Sequence, residues 1–248
     1  MRSTKNYFAI IISLLFFSCQ KELNNTDPAT PASGSKVKTY IEDLHSASTD
    51  TVMTFNLAYD NNDREISMTS AVNSGDRFEF QYSTGSFIMD LYNHNVLNIH
   101  EVFYITNNSF IDSSFQYNDT QDSMTEKYIY NSAKQLITLK EYEYSTATGA
   151  VLFNTTHILY DSNGNPINAT DDNSVTTYEY YPDLLNNLVF GIPYSPISKS
   201  LVKTTTYNES GTSSVFNHVY TFDASNRIST EKITSDDGEV LIKSYTYY

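Results

Sequence analysis

Apolar and polar residues alternate singly along most of this chain. Between Val215 and Phe222, the residues Phe216, His218, Tyr220 and Phe222 fall on one side, and Val215, Asn217, Val219 and Thr221 on the other. Thr176, Tyr178 and Tyr180 oppose Val175, Thr177 and Glu179, while Ile158 and Tyr160 continue the file of Leu152, Asn154 and Thr156. Successive side chains leave a pleated backbone on opposite sides, so period two predicts strands. One face is richer in aromatics and the other mixes Thr, Asn and Glu with Val, the pattern of antiparallel sheet with one wetter face.

A turn phrase punctuates these strands. It reads Tyr59-Asp60-Asn61-Asn62-Asp63-Arg64-Glu65-Ile66 at first. It returns from Tyr130 to Ile137, as Tyr160-Asp161-Ser162-Asn163-Gly164-Asn165-Pro166-Ile167, and as Phe222-Asp223-Ala224-Ser225-Asn226-Arg227-Ile228. Asp and Asn accept backbone hydrogen bonds and tolerate left-handed geometry, which predicts hairpin tips. A second class of turn stands at Ser74-Gly75-Asp76, Thr148-Gly149-Ala150 and Asp236-Asp237-Gly238. Two alternating turns per repeat predict a β-meander with a unit of about 30 residues, so that Tyr59 to Tyr130 would hold two copies. A degenerate copy is expected near Tyr82-Ser83-Thr84-Gly85. The rhythm breaks between Pro182 and Ser198, where three prolines and Leu184, Leu185 and Leu188 predict a helical turn and a crossover loop over a sheet end.

The N-terminus carries an export signal. Arg2 and Lys5 precede an apolar run of about ten residues from Phe8 to Phe17, short of the roughly 20 that span a bilayer. It ends at Leu15-Phe16-Phe17-Ser18-Cys19, and Cys19 is the sole cysteine. One cysteine cannot close an intrachain disulfide, and its place at the end of a signal predicts lipid attachment (diacylglyceryl plus an amide-linked acyl chain such as palmitate). More than one acyl chain makes such an anchor durable. Residues 20–49 read as a flexible tether with Pro28 and Pro31, in which Tyr40-Ile41-Glu42-Asp43-Leu44 forms either a short helix or a first edge strand. Residues 50–248 read as one domain, long enough for a real core.

Two resemblances follow from these residues. Leu15 to Cys19 resembles a bacterial lipobox, and Gln20-Lys21-Glu22 resembles the sorting signal of outer-membrane and surface lipoproteins of Bacteroidota. The phrases at 160–167 and 220–228 resemble the YD repeats of Rhs-type proteins. The order of Tyr178-Glu179-Tyr180, the Leu/Phe/Gly/Pro insertion, Ser198 to Lys203 and Tyr220-Thr221-Phe222-Asp223 resembles uncharacterised Bacteroidota lipoproteins whose domain of unknown function has a porin-like β fold. The resemblance covers about residues 50–248 and implies an all-β fold at the outer membrane, with surface exposure as a further implication.

Charge and chemistry narrow the function. The formal net charge is −14, and losing the signal, with two cations and no acids, takes it to about −16. No basic stripe exists to neutralise phosphates, which argues against nucleic acid as a partner. His94 and His100 are the only histidines close in sequence, and no transition-metal ligand set surrounds them. Asp161 to Asn165 has its glycine one place early for a calcium loop and no Glu at the twelfth position, so the turn reading stands. Acid pairs such as Asp171-Asp172 and Asp236-Asp237 lie in polar turns where nothing raises a pKa, and no catalytic motif is present. The chain ends on Tyr248, as spanning barrels end on an aromatic, but Thr, Ser, Asn, Lys and Glu interrupt every candidate lipid-facing row.

The expectation is therefore an all-β antiparallel meander of repeated hairpins, strongly curved or half-barrel, lipid-anchored, non-catalytic, and without metal or cofactor. Its function would be a binding or interaction module for a glycan, peptide or envelope partner; the alternative is a half-barrel carrier of a lipid or other hydrophobic ligand. Candidate ligand contacts are Tyr178, Tyr180, Tyr207 and Tyr220, whose rings could stack on sugars if they line a wet face. An enzyme would need several acids or histidines converging in one cleft.

Overall fold

The computed structural model describes residues 36–46, 50–106, 110–118, 123–145, 149–188 and 198–248. Cys19, the tether up to residue 35 and the centre of the 182–198 insertion (189–197) lie outside these residues. The strands are β1 (Val37–His45), β2 (Asp50–Tyr59), β3 (Glu65–Ser70), β4 (Arg77–Ser83), β5 (Ser86–Asn93), β6 (Val96–Ile105), β7 (Ile111–Asn118) and β8 (Ser123–Tyr130). There follow β9 (Leu136–Ser145), β10 (Gly149–Tyr160), β11 (Pro166–Thr170), β12 (Ser174–Leu185), β13 (Ser200–Glu209), β14 (Thr212–Phe222), β15 (Ile228–Ser235) and β16 (Val240–Tyr247). Each pairs antiparallel with its neighbours in sequence, and β1 pairs with β16 from Val37↔Tyr247 to His45↔Val240, closing a 16-stranded up-and-down barrel. The half-barrel expectation is thus corrected to full closure. The closing strand β1 sits inside the stretch read as tether, where Glu42 and Asp43 dilute its apolar pattern. Closure removes both sheet edges, which an open meander would leave unpaired.

An up-and-down chain puts alternate turns at opposite ends. All four Tyr/Phe-Asp/Asn phrases connect an even strand to the next odd one, so they share one end, here called proximal, with Val37 and Tyr248. The glycine turns at Gly75 and Gly238, and the connection entering β10 at Gly149, lie at the distal end. Each phrase folds alike. The fourth turn residue has positive φ: Asp63 64°, Lys134 65°, Gly164 88°, Asn226 60°. The Asp or Asn Oδ1 accepts two backbone N–H groups, as in Asp161 with Asn163 (2.9 Å) and Asn165 (2.8 Å), and Asp223 with Ser225 and Arg227 (2.9 Å each). These are the Asx-turn bonds expected of the residue types.

A tyrosine on the following even strand then locks the first residue after each phrase. Tyr82 Oη donates to the Glu65 carbonyl (2.8 Å), Tyr160 to Leu136 (2.9 Å), Tyr180 to Pro166 (2.6 Å) and Tyr247 to Ile228 (2.7 Å). Arg64 and Arg227 bridge their own turn aspartates and lie 4.4 and 4.3 Å from the Tyr82 and Tyr247 ring centroids. The repeat is therefore a three-strand device: turn, return strand, and a tyrosine that comes back to the turn.

Two details of the meander differ from expectation. Tyr59 to Tyr130 holds six strands, β3 to β8, rather than two units of two; β3 to β5 are only 6 to 8 residues long, so more strands fit. The 182–198 insertion is no crossover and has no helix among its described residues. β12 continues to Leu185, β13 begins at Ser200 beside it, and buried Leu188 packs at the proximal end with Val37, Leu57 and Ile228. Pro182 is tolerated within β12 at a register irregularity between Tyr180 and Leu185, where no ladder bond is lost.

Register assigns the faces. Tyr40↔Phe55, Tyr82↔Phe87, Phe87↔Phe103 and Tyr40↔Tyr245 are inward pairs, and inward Phe87, Phe103, Ile111 and Ile228 are at most 1% exposed. Phe87 and Phe103 stack with centroids 4.4 Å apart. Some outward rows are polar: Arg77, Glu79 and Gln81 on β4, Thr204, Thr206 and Asn208 on β13, Thr230, Lys232 and Thr234 on β15; single apolar residues such as Ile129, Leu159 and Val219 also face out. A spanning barrel shows the reverse, an apolar band outside.

Candidate functional site

The four tyrosines that could contact a ligand if they lined a wet face, or else cover a core, all point inward. Tyr178 is 9% exposed in a cluster with Leu136, Ile158 and Ala169, and burial raises its hydroxyl pKa. Tyr180 is the latch on Pro166. Tyr220 donates to Glu231 Oε1 (2.9 Å), and Tyr207 stands at the distal mouth. Alternation gives two faces without saying which is inside, and the aromatic face is the core.

The interior carries an ionic relay on β13 to β16. Thr205 Oγ1 lies 3.1 Å from His218 Nε2, His218 Nδ1 lies 2.9 Å from Glu231 Oε1, and Lys243 Nζ is 3.7 Å from Glu231 Oε2. Burial works to raise the Glu231 pKa, but Lys243, His218 and the Tyr220 hydroxyl together hold it down at about 2. Hydroxyl, imidazole and carboxylate stand in the order of a nucleophile, a base and its orienting acid. Thr205 is 3% and His218 6% exposed, however, and both are built into the packed wall. The relay reads as a satisfied buried network that fixes the register of these strands.

Among the described residues the interior acids Glu65, Glu101, Glu126 and Glu141 form no ion pair. Burial raises Glu65 and Glu101 to about 8 each, and Glu126 adds to the effect on Glu101. Glu126 and Glu141 are raised as well, chiefly by burial. Ser114 and Tyr128 donate to Glu126, and Asn154 to Glu141. Among the described residues no group of three His, Cys, Asp or Glu is placed to hold a metal ion; His100 is spent on Asp90 at 2.6 Å. At the distal mouth a cleft of about 210 Å³ is lined by Phe153, Asn154, Asp171, Ser174, Tyr207 and Glu209. The Asp171 carboxylate is already taken by the turn, accepting from Asn173 N, Ser174 N and Ser174 Oγ.

The surface that stands out is on the outer wall across β6 to β10, and from β7 onward it lies towards the distal end. Tyr104 is 50% exposed, Phe115 39%, Tyr117 46%, Tyr144 46% and Phe153 49%, with Tyr142 half-buried among them. The ladder aligns them in two rows. One runs Tyr117↔Ser123↔Tyr144 and the next Phe115↔Thr125↔Tyr142↔Leu152. Aromatics therefore recur every second strand, about 9.6 Å apart by ordinary strand spacing. Thr125 places a hydroxyl between the rings, while Ser123 is buried. Sequence reading passed over Phe115-Gln116-Tyr117 and Tyr142-Glu143-Tyr144 because their alternation matches that of the inward tyrosines. Tyr142-Glu143-Tyr144 and Tyr178-Glu179-Tyr180 are the same tripeptide, and only the register of the ladder puts the first pair of rings outside and the second inside.

No family model matches the sequence, and no curated protein does. Solved structures share the fold. A porin-like protein from Bacteroides uniformis is similar at a TM-score of 0.63 and 9% identity, over 86% of this chain and 98% of that one. One from Bacteroides vulgatus is similar at 0.59 and 10% identity, with the same coverage. The porin-like part of the expectation is thereby met at the level of architecture.

Proposed function

We propose that this protein is a non-catalytic glycan-binding module held at the outer membrane by a lipid on Cys19. The observation that carries the reading is the exposed aromatic platform of β6 to β10. Uncovered rings with the Thr125 hydroxyl between them suit the apolar faces and hydroxyl edges of sugars, and aromatic faces exposed in such number on one wall call for a partner. The polar outward rows of β4, β13 and β15 support a barrel attached by its tether rather than by its wall. The tether joins at the proximal end, which leaves the distal half of the platform farthest from the anchor. A carrier of apolar ligands is less well supported, since Glu101, Glu126, His218, Glu231 and Lys243 line the interior and would be costly against a hydrocarbon.

Affinity electrophoresis of the full-length protein in detergent, through gels containing a panel of plant and bacterial polysaccharides, tests the reading. At least one polysaccharide should retard the protein, and the Phe115→Ala/Tyr144→Ala variant should run at its free mobility. Equal retardation of both proteins would refute the platform. Cys19→Ala should move the protein out of the membrane fraction, and protease treatment of intact cells should remove the barrel if it is surface-exposed.

A further inference from the structure

Beside the platform the outer wall carries an unusual pair of charges. Lys127 on β8 and Lys140 on β9 are directly opposite in the ladder and outward-facing. Directly opposed like charges disfavour a sheet, because their Cβ atoms are only about 4.5–5.5 Å apart. Five cations elsewhere have an acid partner: Lys36 with Asp63, Arg64 with Asp60, Arg77 with Glu79, Arg227 with Asp223 and Lys243 with Glu231. Lys127 and Lys140 form no ion pair among the described residues. The acids nearest in sequence, Glu126 and Glu141, point to the interior. The Lys127 ammonium lies 5.7 Å from the Tyr142 ring centroid, so the pair adjoins the second platform row, one outward position along each strand.

Resting on the platform reading, we infer that the ligand is an acidic polysaccharide built from uronic acids, its rings stacked on Phe115, Tyr117, Tyr142 and Tyr144 and a carboxylate held between Lys127 and Lys140. The charges are complementary at contact range. A carboxylate bridging the two ammonium groups removes the cross-strand repulsion that the free protein bears. The net charge of −14 opposes a polyanion at long range, but that repulsion is screened beyond about 8–10 Å at ordinary salt. Affinity should therefore hold or rise slightly as salt increases from very low values, before contact pairing weakens. Lysine suits this role as a compact charge on a flexible stem that follows either edge of a sugar ring.

The test compares polygalacturonate with fully methyl-esterified polygalacturonate and with dextran sulfate, using full-length protein in detergent. Wild type should bind the free acid at least tenfold more tightly than the ester. Lys127→Gln/Lys140→Gln should abolish that preference while keeping the ester affinity, and Lys232→Gln, on an outward face of β15, should change nothing. Equal binding of acid and ester by wild type overturns the inference and leaves the platform intact. Dextran sulfate binding as tightly as polygalacturonate also overturns it, by reducing the site to a bare polyanion contact. Failure to bind acid or ester, with another neutral polysaccharide bound through Phe115 and Tyr144, overturns it again; failure to bind any polysaccharide overturns the platform reading itself.

Discussion

Replacing Glu65 with Gln should leave stability unchanged in acid and raise it progressively as the pH becomes alkaline. Glu65 opens β3 at the proximal end, 9% exposed, and no hydrogen-bond partner for its carboxyl is present among the described residues. Burial lifts its pKa from 4.5 to about 8. The folded state thus holds the proton more tightly than the unfolded chain. The stability this confers is full below about pH 4.5 and is lost as pH rises through 8. At about 1.4 kcal/mol per pKa unit, the loss between pH 4 and pH 9 comes to roughly 5 kcal/mol. That is a large share of the 5–15 kcal/mol typical of a folded domain. Glutamine has the shape of the protonated acid and cannot ionise, so Glu65→Gln should match wild type near pH 4.5 and exceed it by several kcal/mol at pH 9. Urea unfolding followed by circular dichroism at pH 5, 7 and 9 on both proteins isolates Glu65 from Glu101, which titrates in both. A difference between the two proteins that does not change with pH would refute the argument.

Three further outcomes follow from the repeat and the relay. Tyr247→Phe and Tyr82→Phe each remove one latch to a carbonyl and should cost about 1 kcal/mol in urea unfolding, nearly additively because the two lie in separate repeats. Glu231→Gln leaves Lys243 buried beside an amide and should cost roughly 3–5 kcal/mol at pH 7. Because Glu231 is held at about 2, its stabilisation is present above about pH 4.5 and is lost as pH falls through 2, so wild type and variant should converge in acid melts. Asp161→Ala removes two backbone acceptor bonds from the third turn and should cost about 1–2 kcal/mol by the same melts, with Asp161→Asn recovering most of it, as Asn131 already serves the second turn.

Much of this architecture was legible in the chain. Phe216 to Phe222 announced a two-faced strand, and Asp60, Asn131, Asp161 and Asp223 announced turns, because short-range sterics and local hydrogen bonds fix both. Turn alternation announced the meander, and the fold puts the two turn classes at opposite ends. Closure was not legible, since it depends on β1 meeting a strand about 200 residues away, and Tyr40-Ile41-Glu42-Asp43-Leu44 carries its inward acid for a network visible only when the barrel is shut. Which aromatics face out was not legible for a related reason. Tyr178 and Tyr117 have the same local pattern, and only the summed register tells core from wall. Lys127 and Lys140 stand thirteen residues apart in sequence, and their juxtaposition exists only across the ladder.

The account rests most on which tyrosines face out, because a one-residue slip of register would exchange the platform for the core. Limited nitration of the native protein with tetranitromethane, mapped by peptide mass spectrometry, reads this directly. Tyr104, Tyr117 and Tyr144 should be modified first, while Tyr40, Tyr178 and Tyr245, all 9% exposed or less, stay unmodified until the barrel unfolds. Early nitration of Tyr178 and Tyr245 with Tyr117 and Tyr144 protected would contradict the account.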